Sequence, residues 1–210
     1  MADAETSGTI LSRTNQLMRG NARAAAIGVI GLSIADMIID RLPTQSFALT
    51  GVASLAAQYV LIAAALRRLG LIGDGEGAAR LPAMFGLLLL TNLAILVGVV
   101  LLIVPGVILA LRWSIAVPIL LAERTTIRDA MRQSWERTAG RFWPIFGVFA
   151  LYTVVLVAAA GAGVLFEGNV AGTILANVVV NIVVVAGWYA DIAIYEHGRP
   201  RTRELEEVFA

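Results

Sequence analysis

Six stretches of the chain are almost free of charge and strongly apolar: residues 23–40, 46–66, 81–104, 106–122, 143–166 and 170–195. Each is near the ~20 residues that a helix needs to cross the hydrocarbon core of a bilayer. The third and fourth meet at Pro105-Gly106. One unbroken helix over 81–122 would be about 63 Å long at 1.5 Å per residue, too long for a single crossing. Proline cannot continue the helical hydrogen-bond ladder, and glycine permits a tight reversal. The pattern therefore predicts a hairpin turning at this dipeptide.

A different period occupies Thr125 to Gly140. Ile127, Met131, Ser134, Trp135 and Thr138 recur at helical spacing, while Arg128, Arg132 and Glu136 fall on another face. Thr126 is placed to cap the start, Asp129 suits the positive end of the helix dipole, and Gly140 is a natural stop. The expected fold is all-α: a polytopic bundle of six transmembrane helices plus one cytoplasmic amphipathic interfacial helix between the fourth and fifth spans. The chain divides into an N-terminal cytoplasmic segment (1–22), a six-helix membrane domain (23–196) and a C-terminal cytoplasmic tail (197–210).

Charge orients this arrangement. All sixteen basic residues are arginine, and fourteen fall in alternate connections. Arg13, Arg19 and Arg23 precede the first span. Arg67, Arg68 and Arg80 follow the second. Arg124, Arg128, Arg132, Arg137 and Arg141 follow the fourth, and Arg199, Arg201 and Arg203 follow the sixth. Basic residues near span ends resist translocation, so this side is cytoplasmic and both termini lie there. Arg41 is the exception on the opposite side, and Arg112 lies inside the fourth span. Arginine without lysine, with abundant Ala, Gly and Val, suggests a GC-rich bacterial genome, hence a bacterial inner membrane. Ser33-Ile34-Ala35 resembles a signal-peptidase site, but the apolar run continues past it, so an uncleaved first helix is expected.

Composition narrows the chemistry. With no cysteine and one histidine, His197, neither a thiol nucleophile nor a histidine-rich metal site can be built. No catalytic residue, metal site or cofactor is expected. The Gly70–Gly77 stretch lacks the Lys-Ser/Thr ending of a phosphate loop and reads as a flexible connection. Net charge is +1, which offers no field for nucleic acid.

The polar residues inside the spans remain. A charge within lipid costs at least ~2.5–3.5 kcal/mol on insertion scales, so Arg112 needs a partner. Asp36 lies at a similar expected depth, which makes Asp36–Arg112 a candidate intramembrane pair; the alternative is that Arg112 snorkels to the outer headgroups. Gln58, Asn92, Asn177 and Asn181 fall near mid-span and form a candidate polar cluster, either interhelical glue or a polar path, of which we favour glue. Asp191 and Glu196 are expected to pair with loop arginines. Small residues mark packing faces: Ala24, Gly28, Gly31 and Ala35 on the first span, Ala159 and Gly163 on the fifth, Gly172 and Ala176 on the sixth. Arg124, Arg128, Arg132, Arg137, Arg141 and Trp135 are the candidate contacts to anionic lipid headgroups.

From Leu101 to Phe146 the chain carries an ordered series: Pro105, Gly106, Arg112, Pro118, Glu123, Ala130, Ser134, Trp135, Gly140 and Trp143. This series resembles the membrane domain attached to some bacterial glycerophosphoryl diester phosphodiesterases. It is also similar to uncharacterised YciC-like inner-membrane proteins. The resemblance implies a helical multi-pass domain. It does not carry the phosphodiesterase chemistry, which belongs to a separate soluble barrel with metal-binding acids and histidines. The functional expectation is a non-catalytic membrane protein that organises lipids or protein partners, including a second copy of itself. A small transporter or channel using the mid-membrane polar residues is the alternative, and a lipid-modifying enzyme has least support.

Overall fold

The computed structural model describes residues 2–41, 47–73, 80–166 and 169–199, and among these there is no strand. Residues 74–79 of the glycine-rich connection and the tail beyond Arg199, with Arg201 and Arg203, lie outside the described residues. In chain order the helices are α1 (Ala2–Gly20), α2 (Ala22–Ile39), α3 (Phe47–Arg68), α4 (Leu81–Leu101), α5 (Ile103–Arg112), α6 (Ala116–Ala122), α7 (Ile127–Thr138), α8 (Phe142–Leu165) and α9 (Val170–Gly198). Six stretches are long and apolar enough to cross a membrane: Ala22–Ile39, Leu49–Arg68, Leu81–Val100, Ile103–Ala122, Phe142–Leu165 and Val170–Gly198. They match the six expected spans to within a few residues. Helix is the form such runs must take in lipid, where each backbone polar group has to be satisfied within its own segment.

Packing is uneven along the bundle. Ile62 and Leu66 at the end of α3, Met84 and Leu87 at the start of α4, and Ile119 and Leu120 of α6 are fully buried. So are Ile145 and Val148 at the start of α8 and Tyr189, Ile192 and Tyr195 near the end of α9. These helix ends share one end of the bundle. At the other end Ile38, Val52, Val100, Ile103, Val104, Val164 and Leu165 are exposed. One half is thus packed like a protein interior and the other turns its side chains outward, as lipid-facing helices do.

Helix α1 completes the packed end. The sequence marks the N-terminal segment only as a cytoplasmic lead-in, yet Ile10, Thr14 and Leu17 are buried against the bundle, where α1 lies on α8 and α9. Their spacing is one helical face. Arg13 donates from Nε and Nη2 to the two carboxylate oxygens of Glu196 at 2.9 and 2.8 Å. This ion pair places the start of the chain and the end of α9 at the same end of the molecule.

The α4–α5 hairpin forms, but its turn is not at Pro105-Gly106. The chain reverses at Leu102, which is extended between the two helices. Pro105 falls in the first turn of α5, where a backbone N–H has no helical partner to lose. Gly106 serves close packing instead. A Cβ there would lie 2.7 Å from Val99 N and collide with Val99 Cγ2, while one at Gly98 would lie 2.9 Å from Gly106 Cα. The dipeptide thus lets two antiparallel backbones touch just below the turn. Of the small-residue faces, Gly28 packs on Leu61 and Gly163 on Ala176, but Gly31 faces open space.

The fourth span is broken. α5 stops at Arg112, residues 113–115 form a turn, and α6 resumes at Ala116. Pro118 has no N–H to offer the carbonyl of Ser114, and the chain tightens one turn earlier. Ala116 N donates to Trp113 O at 3.0 Å, three residues back. In a continuous helix that N–H would go to the carbonyl of Arg112, four residues back. The break therefore frees the Arg112 carbonyl.

Candidate functional site

The freed carbonyl is where α7 attaches. Ser134 Oγ donates to Arg112 O at 2.7 Å, and Thr138 Oγ1 lies 3.3 Å from the same oxygen. Ala130, Ser134 and Thr138 are buried, and their i, i+4, i+8 spacing gives α7 a narrow face of small residues that reaches the broken span. Thr126 caps the helix by accepting from Asp129 N at 3.2 Å, and Gly140 ends it at φ 78°, a conformation that favours glycine. The Arg112 guanidinium stacks over Trp135, 5.3 Å from the ring centroid, and Trp113 lies 6.4 Å from Trp135. Nε and Nη1 of Arg112 are buried and have no hydrogen-bond partner among the described residues.

The expected Asp36–Arg112 pair is not what the geometry builds. Asp36 Oδ2 accepts from Asn181 Nδ2 at 3.0 Å and from Asn177 Nδ2 at 3.3 Å. Asn181 Nδ2 also lies 3.3 Å from Ser33 Oγ. The reason is helix neighbourhood: α2 packs on α3 and α9, whereas α5 packs on α4, α7 and α8. The four amides likewise separate into two groups. Asn177 and Asn181 join α9 to α2 through Asp36, while Gln58 and Asn92 line a cavity elsewhere.

The basic residues after the fourth span have two fates. Arg137 makes a two-pronged pair with Glu123, its Nη2 donating to Oε2 at 2.7 Å, and Tyr195 OH donates to Glu123 Oε1 at 3.1 Å. Burial pushes the Glu123 carboxyl up, but the hydrogen bonds and charge of Arg137, with Tyr195 and Arg199, outweigh it and hold the group below its ordinary range. Arg137 is raised in turn, chiefly by its bond to Glu123. Arg141 Nη1 donates to His197 O at 2.9 Å. Arg141 therefore reaches α9 directly, and Arg137 is joined to it through the Glu123 carboxylate that Tyr195 shares. Arg124, Arg128 and Arg132 are exposed, and Trp135 is 41% exposed beside them. Arg132 has Asp129 at 3.5 Å and Glu136 at 3.7 Å on its own helix.

Glu196 finds Arg13, but Asp191, expected to pair in the same way, does not find an arginine. It lines a partly open cavity of about 410 Å³ between α3, α4, the α5–α6 junction, α8 and α9, with Gln58, Asn92, Ser114, Tyr152 and Trp188. Its Oδ1 is buried without a hydrogen-bond partner among the described residues. Sequence reasoning missed this cavity, because its lining comes from separate helices and from the turn at 113–115. Among the described residues no group of three or more His, Cys, Asp or Glu is placed to hold a metal ion.

Six apolar spans, one of them broken and bonded to α7, define a multi-pass helical membrane protein. The chain belongs to the family described as the membrane domain of glycerophosphoryl diester phosphodiesterase, whose model matches residues 80–189, just over half of it. It is also similar to a UPF0259 membrane protein of Photorhabdus laumondii, 39% identical over 62 residues, which is 30% of this chain and 24% of that protein. The chain thus aligns with about a quarter of that relative's length. No solved structure matches. The family region holds the whole unit described above: hairpin, break, α7 clamp and the Glu123–Arg137 pair. Of the ordered series, Arg112, Pro118, Glu123, Ala130, Ser134, Trp135 and Gly140 each take a part in it.

Proposed function

We propose that this protein is a non-catalytic organiser of anionic lipid in a bacterial inner membrane, with both termini and α7 on the cytoplasmic side. The observation that carries this reading is the fixed presentation of α7. Its buried Ser134 bonds to Arg112 O, with Thr138 Oγ1 3.3 Å from the same oxygen, and this holds the face with Arg128 and Arg132, and the half-exposed Trp135 at its edge, in one orientation. An amphipathic helix with basic residues on one side and a tryptophan at the boundary is the form that lies at a headgroup layer. Each arginine there contributes about 1 kcal/mol with anionic lipid. Arg112, with two buried donors that have no hydrogen-bond partner among the described residues, adds a further cation behind Trp135. The ion pair of Arg13 with Glu196 supports an even number of crossings, and the segregated arginines support the orientation.

Native mass spectrometry of the purified protein tests this. Phosphatidylglycerol should remain bound in preference to phosphatidylcholine. The Arg128→Glu, Arg132→Glu double variant should lower that retention at least about tenfold. Equal retention by the double variant and the parent would dispose of the idea.

A second reading, a small transporter or channel, has one observation in its favour: the polar cavity that contains Asp191.

A further inference from the structure

The cavity beside Asp191 has a chemical bias that its lining residues create by bonding to their own helices. Thr91 Oγ1 donates to Leu87 O at 2.9 Å, Asn92 Nδ2 to Leu88 O at 2.7 Å, Ser114 Oγ to Leu111 O at 2.9 Å and Thr153 Oγ1 to Phe149 O at 2.8 Å. Each hydroxyl has only one hydrogen to give, so what Thr91, Ser114 and Thr153 leave is lone pairs. The amide oxygen of Asn92 and the carboxylate of Asp191 are acceptors as well. Thr91, Ser114 and Thr153 thus present only acceptors to the cavity, and the donors of its lining belong to Gln58, Asn92, Trp113, Tyr152 and Trp188.

The charge has the same sign. Asp191 Oδ1 is buried with no partner among the described residues. A buried carboxyl stays ionised only with an opposite charge or good donors beside it, and otherwise holds its proton. The neighbouring acids have theirs: Glu196 has Arg13 and Glu123 has Arg137. Of the arginines at this end, Arg80 donates to Leu120 O at 2.8 Å, Arg141 donates to His197 O at 2.9 Å, and the Arg112 guanidinium lies over Trp135. The volume of about 410 Å³ is that of a small-molecule site. Asn92 and Thr153 at its rim are exposed among the outward-facing Leu93, Leu96 and Val154, so the cavity is reached from the apolar flank of the bundle.

We propose that this cavity binds a small ammonium group, which donates hydrogen bonds to Asp191, Asn92 and Ser114. The group is carried either by a free alkylamine or by an aminolipid. The site does not depend on whether α7 engages lipid.

The chain has no cysteine, so Ser114→Cys provides a single thiol in the cavity. Ala171→Cys, exposed near the start of α9, serves as the reference. Both are studied as full-length protein in phosphatidylglycerol nanodiscs with two thiol reagents of similar size, aminoethyl and sulfonatoethyl methanethiosulfonate. Relative to the reference, Ser114→Cys should react about tenfold faster with the cationic reagent, the lower end of electrostatic focusing in a cleft. Asp191→Asn should abolish the preference and Asp191→Glu restore it. Ethylammonium chloride that slows the reaction points to a free amine, and phosphatidylethanolamine in the disc that slows it points to a lipid-borne one. Equal rates with both reagents, no reaction at all, or no protection by either amine would overturn the proposal. If Asp191→Asn does not fold, the reagent comparison and the protection arms on Ser114→Cys still decide it.

Discussion

Ser134 Oγ and the main-chain oxygen of Arg112 lie 2.7 Å apart, across 22 residues of sequence, and join α7 to the point where the fourth span breaks. The carbonyl is free because Ala116 N turns to Trp113 O, and the hydroxyl is aimed at it because Ser134 occupies the small-residue face of α7. Ser134→Ala removes the donor and leaves a buried carbonyl with only the longer contact from Thr138. Loss of a buried partner costs about 1–3 kcal/mol. Ser134→Ala with Thr138→Val should exceed the single change, read as a lower midpoint in thermal unfolding followed by tryptophan fluorescence. A double variant as stable as the parent would show that α7 is held by something else.

The glycine pair in the α4–α5 hairpin makes a positional prediction. Gly106→Ala places a methyl group against Val99, and overpacking of this kind costs about 1–3 kcal/mol. Gly31→Ala and Gly161→Ala meet nothing within 4 Å and should be neutral or slightly stabilising. Melting curves of the three single variants, compared side by side, decide whether the close approach is real.

The Glu123–Arg137 pair predicts a pH dependence. The folded Glu123 carboxyl titrates below its ordinary value near about 4.3, so unfolding takes up a proton in that range. The stabilisation is complete above the ordinary value and is lost as pH falls through the lower folded value. Glu123→Gln should therefore flatten the acid limb of a stability profile below about pH 4.3 and leave the neutral region lower by about 1–3 kcal/mol. An unchanged acid limb would mean that other carboxylates account for it.

Asp36 and Arg112 offer a direct check on two alternative partners. Since Asp36 is held by Asn177 and Asn181, Asp36→Arg with Arg112→Asp should fare no better than either single variant. Asp36→Leu should destabilise by removing the acceptor that Asn177 and Asn181 share, at roughly 0.6–2 kcal/mol for each bond. Recovery of stability in the swapped double variant would restore the direct pair.

How much of this is legible in the sequence follows from range. The six spans and α7 are readable because each rests on a period or an apolar run contained in one segment. Thr126, Asp129 and Gly140 mark the limits of α7 for the same reason. The turn at Leu102 lies three residues before the expected one, because proline and glycine signal two things, a reversal and a close approach, and only three-dimensional packing separates them. Pro118 carries the signal for the break, but its effect on Arg112 O passes through Ala116 and appears only when Ser134 arrives from another helix. The docking of α1 escapes sequence reasoning although Ile10, Thr14 and Leu17 show the period, because a mostly polar segment does not say what its narrow apolar face will meet. Asp36 has nearer donors on α9 than Arg112, and which helices are neighbours is not written in any single span.

The contact of α1 with α9 also constrains the order of assembly. α1 is the earliest of the labelled helices to leave the ribosome and α9 the latest, yet Arg13 and Glu196 must meet. At roughly 5–20 residues per second, the ~180 residues between them take on the order of 10–40 s to make. During that interval Ile10 and Leu17 have no α9 to cover them. Insertion of α9 therefore does two things at once: it adds a span and supplies the surface that covers α1.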